Sequence, residues 1–168
     1  MKSTNYKTWK AMLDLKTCLP CRKTHGTIYS LDEWVDPEPP LHPNCRCVVE
    51  YLQALFAGTA TNNGMGGADW WLKNYGQLPN YYISKSDAEA YGYKSFLGNL
   101  GKVLPGKMIK KGIYQNRNGH LPSSPGRIWY EADINYTWGF RGTDRILFSN
   151  DGLIFVTYDH YLTFYEIV

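Results

Sequence analysis

From residue 68 onward, apolar and polar positions follow two successive rhythms. Ala68–Tyr75 places apolar side chains at Trp71, Leu72 and Tyr75, a helical spacing that stops at Gly76. Leu78-Pro79-Asn80 reads as a turn, and Ser84–Gly92 as a short helix with Ser84 as cap, Asp87 three residues on and Gly92 as stop. Asn99–Leu104 adds one more helical turn before Pro105-Gly106. Then the rhythm shortens. Met108–Tyr114, Arg127–Asn135, Asp144–Ser149, Leu153–Tyr158 and Thr163–Ile167 are rich in Ile, Phe, Tyr, Trp and Val, the residues that fit a pleated surface. Asn118-Gly119, Pro125-Gly126, Arg141-Gly142 and Asn150-Asp151-Gly152 separate them, and the last is a hairpin signal. Helices followed by an antiparallel meander predict an α+β fold, with N-terminal helices packed on one sheet face.

Ahead of this region the chain is rich in cysteine, proline and charge. Ala57–Gly67 consists almost entirely of small and polar residues that cannot build a core, so it reads as a linker. The expected division is a Cys-rich segment at 1–56, a linker at 57–67 and a domain at 68–168. All four cysteines fall in the first 50 residues, which marks the two parts as different in origin.

Composition narrows the function classes. With 43% hydrophobic and 20% charged residues the chain is globular rather than disordered. Its net charge of +3 is too small to argue for nucleic acid by itself. Residues 61–168 hold 11 Lys+Arg and 9 Asp+Glu, so any polyanion site must come from local placement of a few cations. No run approaches 18 apolar residues, which predicts no membrane span, and Met1–Lys10 lacks the apolar core of a secretory signal.

Strand parity supplies candidate chemistry. On the strand over 127–135, Trp129, Glu131 and Asp133 share one face while Tyr130, Ala132 and Ile134 share the other. The apolar set is expected to meet the helices, so Glu131 projects to the open face beside Trp129. Arg145 lies on the polar side of the next strand, within cross-strand reach of Glu131. A solvated ion pair is the plainer account of those two charges. His160 follows a strand end in Tyr158-Asp159-His160-Tyr161, where catalytic groups concentrate. Spacing alone leaves its distance from Glu131 open.

Several motifs carry a resemblance. Tyr82-Ile-Ser-Lys-Ser86, Gly98-Asn-Leu100, Pro105-Gly-Lys107, Leu121-Pro122, the run Gly126-Arg-Ile-Trp-Tyr-Glu-Ala-Asp-Ile-Asn-Tyr-Thr137, Asp144-Arg-Ile-Leu147 and Asp159-His-Tyr-Leu-Thr-Phe164 resemble the barnase-type microbial ribonucleases from about Ala68 to Ile167. The resemblance implies helices on a twisted antiparallel sheet whose other face binds RNA. It implies Glu131 as general base and His160 as general acid, with Lys85, Arg141 and Arg145 as fixed cations, and no cofactor for catalysis. It assigns the loop Tyr114, Gln115, Asn116, Arg117 and Asn118, together with Tyr161, to guanine recognition. Asn118 departs from the acidic residue common there, and Gly112 stands where Asp is frequent.

Cys18-x-x-Cys21 and His42-Pro-Asn-Cys45-Arg-Cys47 form a compact set of soft ligands. A structural zinc site, disulfides and free thiols all remain open on spacing alone. Residues 8–50 resemble the C-terminal end of Mu-type phage minor head (head morphogenesis) proteins. Together the two resemblances imply a ribonuclease toxin or effector carried by a phage-derived leader, acting on single-stranded RNA, exported or delivered with a phage particle. They imply a monomer restrained by an acidic, barstar-like inhibitor. The alternative is a catalytically inactive RNA-binding or head-associated module.

Overall fold

A computed structural model describes residues 1–168. Nine strands form one sheet: β1 (Lys2–Lys10), β2 (Ile28–Ser30), β3 (Val48–Leu55), β4 (Tyr82–Ser84), β5 (Met108–Tyr114), β6 (Trp129–Asp133), β7 (Arg145–Ser149), β8 (Ile154–Thr157) and β9 (Tyr165–Ile167). Their order across the sheet is β2-β1-β3-β9-β8-β7-β6-β5-β4. The five predicted strands are present, β5 with its expected bounds and the other four shorter. The meander β5–β9 is antiparallel throughout.

The helices are α1 (Leu19–Thr24), α2 (Ala68–Tyr75), α3 (Lys85–Ala90) and α4 (Leu100–Val103). Gly76 closes α2 in the left-handed conformation, and the Ser84 hydroxyl accepts from the Asp87 N–H to cap α3. The expected helical layer is corrected here. α3 and α4 have 6 and 4 residues and gather in a small cluster around Tyr93 and Ile109. Only α2 sets apolar side chains, Ala68 and Leu72, into the core with Ala132, Ile134, Ile146 and Val156. The fold is mixed α and β, dominated by its sheet, because helices this short bury too little to form a layer of their own.

The sheet has a second buried side. Trp129, Leu147, Phe155 and Phe164 meet Tyr6, Ile28 and Leu52 from the first 56 residues. The face expected to be open is therefore closed at its Trp129 end. The connection is direct: β3 runs parallel to β9, with Gln53 beside Tyr165 and Leu55 beside Ile167. Residues 57–67 are tied down as well. The fully buried Asp69 carboxylate accepts from Gly58 N at 2.7 Å, Ala60 N at 3.0 Å and Thr61 Oγ1 at 3.0 Å. Tyr158 donates its hydroxyl to Ala60 O at 2.6 Å. One carboxylate thus organises a stretch whose own composition offers no core.

Candidate active site

Glu131 sits mid-strand on β6, opposite Leu147 on β7 and Gly112 on β5. Its side chain is 5% exposed. A buried carboxylate is costly unless it is paired, and this one has three partners on Oε1. Lys111 Nζ lies 3.2 Å away, Arg145 Nε lies 3.5 Å away, and the Tyr161 hydroxyl donates to it in a short hydrogen bond. Burial, and next the Glu131 carboxylate, raise the Tyr161 phenol well above its ordinary range, so it stays a neutral donor.

A second buried carboxylate holds the arginines. Asp133 faces Arg145 in the ladder, two residues along the same side of β6 from Glu131. Arg141 grips it with Nε at 2.5 Å and its second nitrogen at 2.6 Å, and Arg145 Nε is 3.2 Å from its Oδ1. Arg145 also donates to the carbonyls of Gly142 and Asp144 at 2.8 Å each. The strand pairing expected from parity is present, with Arg145 directly opposite Asp133 and diagonal to Glu131. Its Nε is buried between the carboxylates of Glu131 and Asp133, at 3.5 and 3.2 Å, without a well-aligned hydrogen bond to either.

His160 occupies the loop between β8 and β9. His160 and Tyr161 both have positive φ, 57° and 71°, an uncommon conformation for side-chain-bearing residues. Asp159 over-determines the loop. Its carboxylate accepts from Thr157 Oγ1 at 3.0 Å, Leu162 N at 3.1 Å, Thr163 N at 2.9 Å and Thr163 Oγ1 at 2.5 Å. The loop projects an exposed His160 into the same cleft as Glu131. This cleft, of about 540 Å³, is lined by Lys111, Tyr114–Asn118, Glu131, His160 and Tyr161 among others.

The loop Tyr114–Asn118 lines the same cleft. Tyr114 stacks on Tyr161 with centroids 5.6 Å apart and ring planes 17° apart. Asn116 is turned inward, bonding Leu121 N and O at 3.1 and 2.9 Å. Asn118 likewise spends its amide on His120, accepting from the backbone N at 3.2 Å and donating to Nδ1 at 3.1 Å. Gln115 and Arg117 are exposed. Lys85, at the start of α3, lies apart from the cleft lining, with its ammonium 3.7 Å from Glu89.

Two residues of the site carried no separate functional assignment in the sequence. Asp133 had the right parity beside Glu131, and nothing in the spacing revealed its two arginine partners. Lys111 is brought in by an irregularity. The register jumps between Lys110, opposite Ala132, and Gly112, opposite Glu131, so Lys111 is the extra residue of a β-bulge. Gly112 has φ 82°, which a glycine adopts without strain. The only sequence signal was a glycine inside an otherwise regular strand.

The comparisons with known proteins match two separate stretches of the chain. Residues 1–50 match the family of Phage Mu protein F like proteins. A relative named "Ribonuclease" from Heyndrickxia coagulans is 49% identical over 108 residues, 64% of this chain and 99% of the relative. Proteins of the same name from Bacillus intermedius and Bacillus pumilus are each 49% identical over 108 residues, 67% of their length. Residues 72–168 match the ribonuclease family, more than half of the chain, and by that measure the protein belongs to the ribonuclease family.

Proposed function

We propose that this protein cleaves single-stranded RNA endonucleolytically by metal-independent transesterification, with Glu131 as general base and His160 as general acid. The observation that carries this reading is one cleft lined by both a cation-flanked carboxylate, Glu131, and an exposed imidazole, His160. Glu131 removes the proton from a ribose 2′-OH, and the 2′-oxygen attacks the adjacent phosphorus. The bond to the 5′-oxygen breaks as His160 protonates the leaving oxygen, giving a 2′,3′-cyclic phosphate. Hydrolysis of the ring reverses the roles: His160 deprotonates water and Glu131 returns a proton to the 2′-oxygen. Negative charge building on the phosphate oxygens is met by Arg145, Lys111 and Arg141, held in place by two buried carboxylates before substrate arrives.

Base recognition is read as guanine-directed, through the backbone amides of the 114–118 loop and the stacked Tyr114–Tyr161 pair. The Asn118 amide brings no charge, so this preference is expected to be weaker than an acidic residue gives. Residues 1–56 are read as a phage-derived delivery segment, and the whole as an exported or particle-delivered toxin. Lys85, Arg117, Arg141 and Arg145 define the patch that an acidic, barstar-like inhibitor fits by electrostatic steering. The match of residues 1–50 supports a second reading, a head-associated module in which the catalytic domain is a passenger.

The test compares wild type with Glu131→Ala and His160→Ala on RNA and on matching DNA in excess chelator. RNA cleavage leaving a 2′,3′-cyclic end, absent on DNA and lost in both variants, is the expected result. DNA cannot react this way because it lacks the 2′-OH. A folded wild type that binds RNA without cutting it would favour the head-associated reading.

A further inference from the structure

Soft donors from two separate stretches of the N-terminal segment gather around Cys21, with Cys18 and His42 in one triad and Cys45 and Cys47 in another. Cys18 precedes α1 and Cys21 lies in its first turn, while His42 and Cys45 come from the loop leading into β3. His42 Nε2 is 3.2 Å from Cys18 Sγ and 3.6 Å from Cys21 Sγ, and the Cys21 and Cys45 sulfurs are 3.8 Å apart. Tetrahedral zinc, with bonds of about 2.3 Å to sulfur and about 2.0 Å to nitrogen, keeps neighbouring donors roughly 3.5–3.8 Å apart. These separations cluster around those edges.

The imidazole decides between the chemistries. His42 Nδ1 lies 2.8 Å from the Pro43 carbonyl, a contact that requires the proton on Nδ1. Nε2 is then an unprotonated acceptor turned toward two thiols, the arrangement a metal-bound histidine has. A disulfide has no use for it. Cys47, also within reach of Cys21 and Cys45, shares with Cys21 the buried apolar cluster of Trp9, Ala11 and Val35 and is the alternative fourth ligand.

We propose that Cys18, Cys21, His42 and Cys45 bind one zinc ion, and that this ion supports the base-recognition loop through α1. None of the four lines the cleft of Glu131, so the ion takes no part in the chemistry there. The far end of α1 meets the loop: His120 Nε2 donates to Lys23 O at 2.9 Å, and Ile28 N donates to His120 O at 2.8 Å. Asn118 in turn bonds His120. Fixing the first turn of α1 with a metal therefore fixes the carbonyl on which His120 rests.

The experiment titrates the full-length chain, purified under reducing conditions, with Co²⁺ and then Zn²⁺. One equivalent of Co²⁺ is expected to give thiolate charge-transfer and tetrahedral d–d bands that Zn²⁺ abolishes. His42 is exposed, so His42→Ala should remain folded, shift the bands and weaken binding by about tenfold or more. Cys47→Ser should leave the bands in place. Amide exchange at 118–121 should slow when Zn²⁺ is added to wild type. Absence of stoichiometric metal, bands unaltered by His42→Ala, or exchange at 118–121 indifferent to Zn²⁺ would overturn the proposal. So would recovery of these cysteines as disulfides that form equally well with Zn²⁺ present.

Discussion

Lys111 reaches Glu131 at 3.2 Å because a bulge on β5 gives that strand one residue more than its partner. In a regular ladder Lys111 and Gly112 could not both stand against Glu131. The lysine is 40% exposed and faces the cleft, so it serves the carboxylate and an incoming phosphate together. Lys111→Ala is expected to lower kcat/KM on a dinucleotide by about tenfold, below the loss for a fully buried oxyanion donor. Stability should change by less than about 1 kcal/mol, as for other half-exposed pairs. Steady-state kinetics beside a urea melt separate the two effects, and an unchanged kcat/KM would remove Lys111 from the site.

Asp133 should behave differently. It is 1% exposed and is the shared partner of Arg141 and Arg145. Asp133→Asn leaves the largely buried Arg141 without its counter-charge and Arg145 with Glu131 alone, and breaking a buried pair costs about 3–5 kcal/mol. Activity should fall with stability, since both arginines lose their anchor. Denaturant unfolding reads the first effect. A double-mutant cycle with Arg141→Ala should show strong non-additivity, and additive losses would mean the carboxylate does not organise the cations.

Tyr161 joins the base and the recognition loop through one side chain, its hydroxyl on Glu131 and its ring on Tyr114. Tyr161→Phe keeps the stack and removes the donor. A hydrogen bond to a charged group is worth about 1.5–3 kcal/mol, so kcat should drop roughly tenfold or more with KM little changed. Tyr161→Ala should in addition raise KM. If the two variants lose the same amount in both constants, the ring has no part in substrate binding.

His25 gives the junction between the N-terminal segment and the catalytic domain a pH dependence. Its Nδ1 accepts from Ala11 N at 3.0 Å. Burial first, and the neighbouring His120 next, hold it below the usual histidine range, with Asp159 opposing and Lys10 adding to the effect. The unfolded chain takes up this proton near pH ~6.5, where the folded chain still resists it. The stability contributed by neutral His25 is therefore complete above that value and falls as pH drops below it toward the lowered folded value. Protection factors at residues 26–28 and 119–121, corrected for intrinsic exchange, should fall between about pH 7.5 and about pH 5.5. His25→Gln should flatten the change, and stabilisation on acidification would contradict it.

The legible part of the fold was local. The extent of α2 and the positions of the strands from β5 to β9 followed from side-chain period and turn residues, because those depend on neighbours a few positions away. β1, β2, β3 and β4 escaped. β3 sits between β1 and a β9 that lies more than 100 residues along the chain, and β4 is a three-residue strand beside β5. The stretch 57–67 carries no apolar pattern, and its order comes from the Asp69 carboxylate and from Tyr158.

What the sequence determined by itself is the chemistry on offer: a glutamate and an arginine on the same strand faces, a histidine just past a strand end, and soft ligands grouped in the first 50 residues. Those are fixed by residue identity and by the two-residue repeat of a strand. Only the tertiary structure decided which groups meet. The β5 bulge brought in Lys111, Asp133 drew two arginines to one point, and the Asp159-braced loop carried His160 to the cleft of Glu131. Convergence of side chains from β5, β6, β7 and the β8–β9 loop depends on strand order and register, and these are set by burying both faces of the sheet at once, a global condition that no local stretch of sequence expresses.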